Sequence, residues 1–254
     1  MCSIVVLHRP GHAWPMLVAA NRDEMSDRPW AEPGRHWPER PQVVAGIDLL
    51  AGGTWLGMND GGLVAAILNR RHSLGPEAGK RSRGELVLEA LAQQSVQDAV
   101  DVVARVDASA YRSFNMVVLD YRVAVWIRNR GRGELGAIES IPLPAGVSMI
   151  TAYDRNDTGS ARIRRYLPLF QSAAPPDPES GRWKDWEHLL ASRAHDEEDG
   201  PLAGMNVVTE SPFGTVSSSL LALPAPAFLP RRPIWRFAAG RPDEVPFETV
   251  PLLP

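Results

Sequence analysis

Cysteine is almost absent from this sequence: the chain of 254 residues has one, Cys2. A single thiol excludes a disulfide framework within the chain and any cysteine-rich metal site. Long apolar runs are also lacking, since Leu63–Leu68 is far shorter than the ~20 residues of a membrane helix. The apolar segment Ile4–Leu7 is too short for the core of a signal peptide. We therefore expect a cytoplasmic protein without a membrane span.

A strong excess of charge is lacking as well. The chain has 27 lysines and arginines against 30 aspartates and glutamates, a net charge of −3. A balanced chain gives no reason to expect nucleic acid or an anionic membrane surface as a partner. We expect a small-molecule substrate or ligand, with no metal site and no required cofactor, and the oligomeric state stays open.

Turn residues divide the chain into short apolar strands. Arg9-Pro10-Gly11-His12 predicts a turn between strands over 3–8 and 14–20. Asn59-Asp60-Gly61-Gly62 predicts a second hairpin turn. Other predicted strands are 114–119, 123–127, 147–151, 205–209, 215–223 and 234–238, the fifth of these including Ser217, Ser218 and Ser219 as polar content.

Helices are predicted in pairs. Ser82-Arg83-Gly84-Glu85 has the pattern of a capping box before one helix, and Ser95 precedes a second. Apolar spacing predicts two later helices, over 159–170 and 183–194. Strands in hairpins and helices in pairs indicate antiparallel sheets covered by helices, an α+β fold, within a single domain over residues 1–254.

The position of Cys2 suggests a chemical role. Methionine before a small residue is commonly removed, and this would leave Cys2 with a free α-amine. That amine, with a pKa near ~7.7–8.0, can take the thiol proton and so place a nucleophile and its base on one residue. The alternative is that Cys2 is a small buried side chain on the first strand.

The predicted N-terminal hairpin brings a polar cluster beside this thiol. With the turn at residues 9–12, Cys2 faces Ala19 on the neighbouring strand, and Asn21 is its diagonal neighbour. Strand alternation then predicts Asn21 and Asp23 on the Cys2 face and Arg22 on the other. A nearby arginine would lower the thiol pKa, and a carboxylate could hold an ammonium group.

Six short motifs together resemble one family. Each is weak alone, but their order along residues 1–130 is specific. They are MCSI at the start, AANRDE at 19–24, GGTWLG at 52–57, Asn69 after VAAIL, SRGELV at 82–87 and FNMVVLD at 114–120. The combination is similar to the NRDE family, also called the transport and Golgi organisation family.

The resemblance implies an N-terminal-nucleophile (Ntn) hydrolase-like fold, a four-layer αββα sandwich of two mainly antiparallel sheets. In such enzymes the residue after the initiator methionine is the nucleophile, and relatives such as choloylglycine hydrolases and penicillin acylases cleave C–N amide bonds. Members of the family itself have been linked to haem trafficking and to lipid or acyl-CoA homeostasis.

The resemblance also implies site roles. Cys2 takes the nucleophile position, Arg22 and Asp23 the charged pair beside it, and Asn69 an oxyanion-hole donor. Substrate-binding positions are Asn21, Gly53 and Trp55.

Three positions depart from the hydrolase pattern. Arg22 and Asp23 are adjacent, whereas the hydrolases separate these residue types by two. Ala152 stands where an asparagine is usual, and FGTVSSSL lacks the later arginine.

Three functions remain open from the sequence. The first is a cysteine amidohydrolase acting on small amides through Cys2. The second is a carrier of haem or an acyl-CoA-like ligand, with haem ligated by a residue such as His8, His72 or Cys2. The third is a scaffold for protein contacts through some of the eight tryptophans.

Overall fold

The computed structural model describes residues 2–131, 138–226 and 231–252. The chain divides into two compact units, Met1–Arg28 with Pro144–Val250, and Pro29–Leu143 with Pro251–Pro254. Each unit is built on one antiparallel sheet with two α-helices, so the predicted α+β class is confirmed. The single-domain interpretation of residues 1–254 stays a prediction.

The described residues form thirteen strands and four α-helices, with two single turns of 3-10 helix at Ala108–Ala110 and Pro201–Ala203. The strands are β1 Ser3–His8, β2 Met16–Met25, β3 Trp30–Gly34, β4 Val43–Asp48, β5 Leu56–Asn59, β6 Val64–Asn69, β7 Phe114–Leu119, β8 Ala124–Asn129, β9 Ile138–Pro142, β10 Gly146–Ile150, β11 Phe213–Leu223, β12 Ile234–Ala238 and β13 Glu248–Thr249. The helices are α1 Gly84–Leu91, α2 Val96–Ala104, α3 Ala161–Ser172 and α4 Lys184–Ala191.

The first unit has six strands in the order β10-β1-β2-β11-β12-β13. Alternate side chains of β1 and β2, including Val5 and Leu17, point to the face on which α3 and α4 pack. Tyr166, Phe170 and Trp186 cover them from the helices, and the last two rings meet edge to face at 5.3 Å. This helix-covered face holds the apolar core of the unit.

The second unit has seven strands in chain order, β3 to β9, each paired with the next. Helix α1 packs on β4, β5 and β6, and α2 packs on β7, β8 and β9. Leu86, Leu91 and Val100 of the helices join Phe114 and Met116 of β7 in a buried cluster. Short connections join most of these antiparallel neighbours, whereas residues 70–113 between β6 and β7 contain both helices.

The N-terminal hairpin exists, but its predicted register is wrong. The turn is longer than 9–12: Arg9 N donates to Pro15 O at 2.7 Å, and His8 pairs with Met16. Ser3 consequently lies opposite Asn21, whereas the shorter turn would pair it with residue 18. Three additional turn residues shift the register by an odd number, and this exchanges the two faces of the strand.

Other local predictions had mixed outcomes. The hairpin turn at 59–62 and the helix start at Ser95 are confirmed, the latter by Ser95 Oγ accepting from Asp98 N at 3.1 Å. The capping box at Ser82 is wrong, because α1 begins at Gly84 and Glu85 hydrogen-bonds Tyr111 instead. The strand predicted over 205–209 is irregular, and strands β3 and β4 were not predicted as such.

Two glycines from separate motifs bring α1 against the loop before β5. A Cβ on Gly53 would lie 2.6 Å from the carbonyl carbon of Gly84, and one on Gly84 would lie 2.9 Å from Thr54 N. Thr54 N also donates to Gly84 O at 3.2 Å. Both motifs therefore need glycine so that two stretches of main chain can touch.

We expect Gly53→Ala to lower the free energy of unfolding by about 1–3 kcal/mol, because the added methyl group meets main chain that cannot rotate away. Urea unfolding followed by circular dichroism measures this. Gly61→Ala is the control, since its new methyl group would contact only the Asn59 side chain, at 3.2 Å. Equal stability of the two variants would contradict the packing role of Gly53.

Candidate functional site

The Cys2 thiol lies against the main chain of β2, the strand that contains the NRDE motif (residues 21–24). Cys2 immediately precedes β1 and is partly buried. Its Sγ accepts a hydrogen bond from Asp23 N at 3.4 Å and lies 3.6 Å from Asp23 O, to which it can donate. The structure thus brings together Cys2 and Asp23, which the sequence had placed on adjoining strands.

The surroundings favour the neutral thiol. Burial raises the pKa of Cys2, and the Asp23 carboxylate raises it further, whereas the Arg22 guanidinium opposes this. The donor position toward a carbonyl oxygen fits the protonated form as well. A reaction that uses this sulfur as a nucleophile therefore requires a base to remove its proton.

Strand β2 sends the residues of the NRDE motif to opposite faces of the sheet. Asn21 and Asp23 contact α4 and α3 respectively, so they point to the helix-covered face. Arg22 lies between them and points to the opposite face of the sheet. Because Ser3 pairs with Asn21, the next residue, Cys2, comes opposite Arg22. The predicted assignment, with Asn21 and Asp23 on the Cys2 face, is wrong because of the longer turn.

Asn21 uses its whole amide group within the first unit. Nδ2 donates to Leu190 O and Met205 O, both at 2.9 Å, and Oδ1 accepts from Ser218 Oγ at 2.6 Å. The side chain is buried. Asn21 therefore links three parts of the first unit: α4, the irregular segment after the second 3-10 turn, and β11. Its role in binding substrate stays a prediction.

The Asp23 carboxylate is held by two buried partners. Arg162 Nη1 donates to Oδ2 at 2.9 Å, and Thr215 Oγ1 donates to Oδ1 at 2.7 Å. The side chains of Asp23 and Arg162 are 0% and 4% exposed. The carboxylate is therefore turned toward α3 while the main chain of the same residue meets the thiol.

Arg162 is a residue that the sequence reasoning missed. Its signal was present: in α3 it lies four residues before Tyr166, on the apolar stripe formed with Ile163, Leu167 and Phe170. An arginine on a buried stripe needs an anionic partner. The sequence does not say which carboxylate, because Asp23 is 139 residues away.

A β-bulge on β11 lies opposite this motif. Thr215 pairs with Asp23 and Ser217 pairs with Arg22, so the register shifts between them. Ser217 therefore shares the face of Arg22, whereas Ser218 faces the helices and bonds Asn21. Ser217 is buried, and within the described residues its Oγ has no hydrogen-bond partner.

The remaining predicted site residues belong to the second unit. Asn69 ends β6 opposite Phe114 and is partly buried. Trp55 packs across Gly46 of β4 and meets Trp30 edge to face at 5.8 Å. Gly53 lies against the main chain of Gly84. The roles predicted for Asn69, Trp55 and Gly53 in the site stay predictions.

Neither a membrane span nor a metal cluster occurs in the described part of the chain. No helix there combines the length and the hydrophobicity needed to cross a membrane. No group of three or more histidine, cysteine, aspartate or glutamate side chains is arranged to hold a metal ion in those same ranges.

The architecture, two antiparallel sheets with few helices, is the Ntn-hydrolase-like fold. Three solved structures share this fold. An N-acylethanolamine-hydrolyzing acid amidase ortholog from Caenorhabditis elegans is 17% identical with a TM-score of 0.55, covering 89% of this chain and 94% of that one. The C2A mutant of a conjugated bile acid hydrolase from Clostridium perfringens is 13% identical with a TM-score of 0.53, covering 99% and 97%. Penicillin V acylase from Agrobacterium tumefaciens is 15% identical with a TM-score of 0.51, covering 94% and 83%.

The family model of Transport and Golgi organisation 2 matches residues 1–171, and the chain belongs to that family. The bovine Transport and Golgi organization protein 2 homolog is 34% identical over 135 residues, 48% of this chain and 47% of that protein. The human homolog is 31% identical over 147 residues, 54% and 51% of the two chains. The match thus spans about half the length of these curated relatives.

We expect Arg162→Met to lower the free energy of unfolding by about 3–5 kcal/mol, because it leaves the Asp23 carboxylate buried without its cation. Urea unfolding measures the loss. Adding Asp23→Asn should recover part of it, since the uncompensated charge is then removed. Arg164→Met is the matched control, since it removes an exposed pair with Asp199 and a 3.4 Å hydrogen bond to Thr158 O. Equal losses for the two arginines would contradict the importance of the buried pair.

Neighbouring serines of β11 should respond to the same substitution with opposite signs. Ser217→Ala removes an unpaired buried hydroxyl, so stability should stay equal or rise by up to about 1–3 kcal/mol. Ser218→Ala leaves the Asn21 oxygen without its donor and should cost about 1–3 kcal/mol. Thermal unfolding of the two variants tests this. A loss in Ser217→Ala as large as that in Ser218→Ala would show that Ser217 has a partner.

Proposed function

We propose that this protein is an Ntn-type cysteine amidohydrolase that cleaves a C–N amide bond of a small molecule through Cys2. One observation carries the proposal: the thiol of the only cysteine is seated on the main chain of Asp23, at the N-terminus of a fold shared with amide-cleaving enzymes. The mutation in the solved bile acid hydrolase, C2A, replaces a cysteine at the same second position.

The chemistry needs a base because burial keeps the thiol protonated by raising its pKa. Removal of Met1 would free the α-amine of Cys2, whose pKa near ~7.7–8.0 lets it accept the thiol proton at neutral pH. The sulfur then attacks the amide carbonyl carbon, a C–S bond forms, and the C–N bond breaks. The α-ammonium returns its proton to the departing amine.

The second half of the reaction releases the acid. A water molecule attacks the thioester, its proton passes back through the α-amine to the sulfur, and the free carboxylic acid and thiol are restored. Both steps develop negative charge on the carbonyl oxygen, for which hydrogen-bond donors are required. In this proposal Asn69 is one such donor, as the resemblance implies.

In this proposal Arg22 and Asp23 of the NRDE motif have different roles. Arg22 lowers the thiol pKa. The strand register continues from the Ser3–Asn21 pair to Cys2 opposite Arg22, so both belong to the same face of the sheet. Asp23 supplies its main-chain N–H to the sulfur, and its carboxylate is the anchor that Arg162 and Thr215 hold in place. Asp23 is thus proposed as a positioning residue. Gly53 and Trp55, proposed as substrate-binding from the resemblance, carry packing contacts in the second unit.

The alternative function, a carrier of haem or an acyl-CoA-like ligand, stays a prediction, as does a cytoplasmic location. No observation on the described residues favours the carrier over hydrolysis. Both functions use a small-molecule ligand, so the experiments must separate turnover from binding.

The first expected result is the loss of Met1. The intact mass of the purified protein should lack one methionine, and p-nitroanilides of short and long acyl chains should then be hydrolysed.

Cys2→Ala should abolish this turnover while the circular dichroism spectrum stays unchanged. Mass spectrometry of the natural chain should find an acyl thioester on Cys2 at early times. Turnover that persists in Cys2→Ala would contradict the proposal.

The pH dependence of Cys2 alkylation adds a control. In a chain extended at its N-terminus, the raised thiol pKa means that iodoacetamide reacts only as the pH rises above the ordinary cysteine range, about 8.5. In the processed chain the neighbouring α-ammonium should lower that midpoint. If both chains titrate alike and haem gives a stoichiometric Soret band, the carrier function is favoured.

A further inference from the structure

A cavity of about 480 Å³ lies in the first unit, away from Cys2. It is formed by the turn between β1 and β2 and by the proline-rich segment after α3. Its lining includes Arg9, His12, Trp14, Asp177 and Glu179. The thiol precedes β1 and Arg9 follows it, so about 20 Å of extended chain separates the two places. The volume is within the range of small-molecule sites, roughly 300–1,000 Å³.

The two carboxylates of the cavity already have partners. Glu179 Oε1 accepts from Arg231 Nη2 at 2.6 Å and from Trp14 Nε1 at 3.3 Å. Asp177 accepts from Ser180 Oγ at 2.8 Å and from Glu179 N at 3.2 Å. It also lies 3.6 Å from Arg182. Each carboxylate is therefore matched to one arginine, and these two pairs are close to neutral overall.

Arg9 is the arginine of the lining that belongs to neither of these two ion pairs. Its Nη2 donates to Trp14 O at 3.0 Å, while its Nε is buried and has no partner within the described residues. None of the described carboxylates forms an ion pair with it. Burial lowers the pKa of Arg9, and the nearby Asp177 carboxylate opposes this only in part, so an anion beside Arg9 would offset the desolvation cost that remains.

His12 supplies a second donor on the same side. Its Nδ1 accepts from Trp14 N at 3.0 Å, so in the neutral ring the hydrogen is on Nε2. Burial lowers the pKa of His12, which favours that neutral form at pH 7. The apolar part of the lining consists of Pro175, Pro176 and Pro178 together with Ala13 and Trp14.

We propose that this cavity binds a small organic carboxylate with an apolar body. One carboxylate oxygen accepts from the Arg9 guanidinium and the other from His12 Nε2, while the apolar part contacts the prolines. A monoanion matches the lining, in which three arginines (Arg9, Arg182 and Arg231) outnumber two carboxylates (Asp177 and Glu179) by one charge. A dianion such as phosphate would face Asp177 and Glu179 with a second negative charge and no cation to meet it.

The proposal is independent of the amidohydrolase chemistry, because none of its residues belongs to the Cys2 site. The full chain is titrated with 4-fluorobenzoate, and binding is followed by ¹⁹F NMR line broadening. Binding should be saturable and should be the same in Cys2→Ala. Arg9→Met should weaken it about tenfold or more, the effect of losing a charge-assisted hydrogen bond. Arg164→Met, an exposed arginine of the same unit, should not change it.

Three further results separate the alternatives. Neutral 4-fluorobenzyl alcohol should not bind, and inorganic phosphate should not displace 4-fluorobenzoate. Arg9→Lys retains the charge without the planar guanidinium and should bind more weakly than the natural chain, which covers the case in which Arg9→Met does not fold. Equal binding by the natural chain and a folded Arg9→Met variant, or ready displacement by phosphate, would overturn the proposal.

Discussion

The buried ion pair between Asp23 and Arg162 is the interaction on which the candidate site depends. It joins β2 to α3, and the hydrogen bond from Thr215 joins the same carboxylate to β11. Because both oxygens are engaged on the helix-covered face, the main chain of Asp23 is fixed where the Cys2 thiol meets it. A buried pair of this kind adds little net stability relative to apolar side chains, but removal of one partner leaves a buried charge uncompensated.

Strand alternation divides the NRDE motif between two tasks. Asn21 and Asp23 form the structural side, where their side chains bond the first unit's own helices and β11. Arg22 and Ser217 form the other side, and there the Ser217 hydroxyl is buried and left unpaired among the described residues. The motif is continuous in the sequence, but its side chains are therefore divided between the two faces of the sheet.

Packing also explains motifs that resemble binding elements. Gly53 and Gly84 come from two different motifs, yet each is required because the main chains touch. Trp55, between them in sequence, fills the space over Gly46. Such residues are needed for reasons of shape, whatever reaction the protein performs, so a motif alone does not establish a role in binding.

The sequence by itself determined the local elements: the hairpin turn at 59–62, the Ser95 cap, and a thiol brought near the NRDE strand by a short connection. Tertiary structure decided the rest. The turn extends to Pro15, whose carbonyl oxygen accepts from Arg9 N, and the resulting register sets which face each residue occupies. Arg162 joins Asp23 across 139 residues, a pairing that local periodicity cannot specify, because it reports which face is buried and not which charge lies opposite.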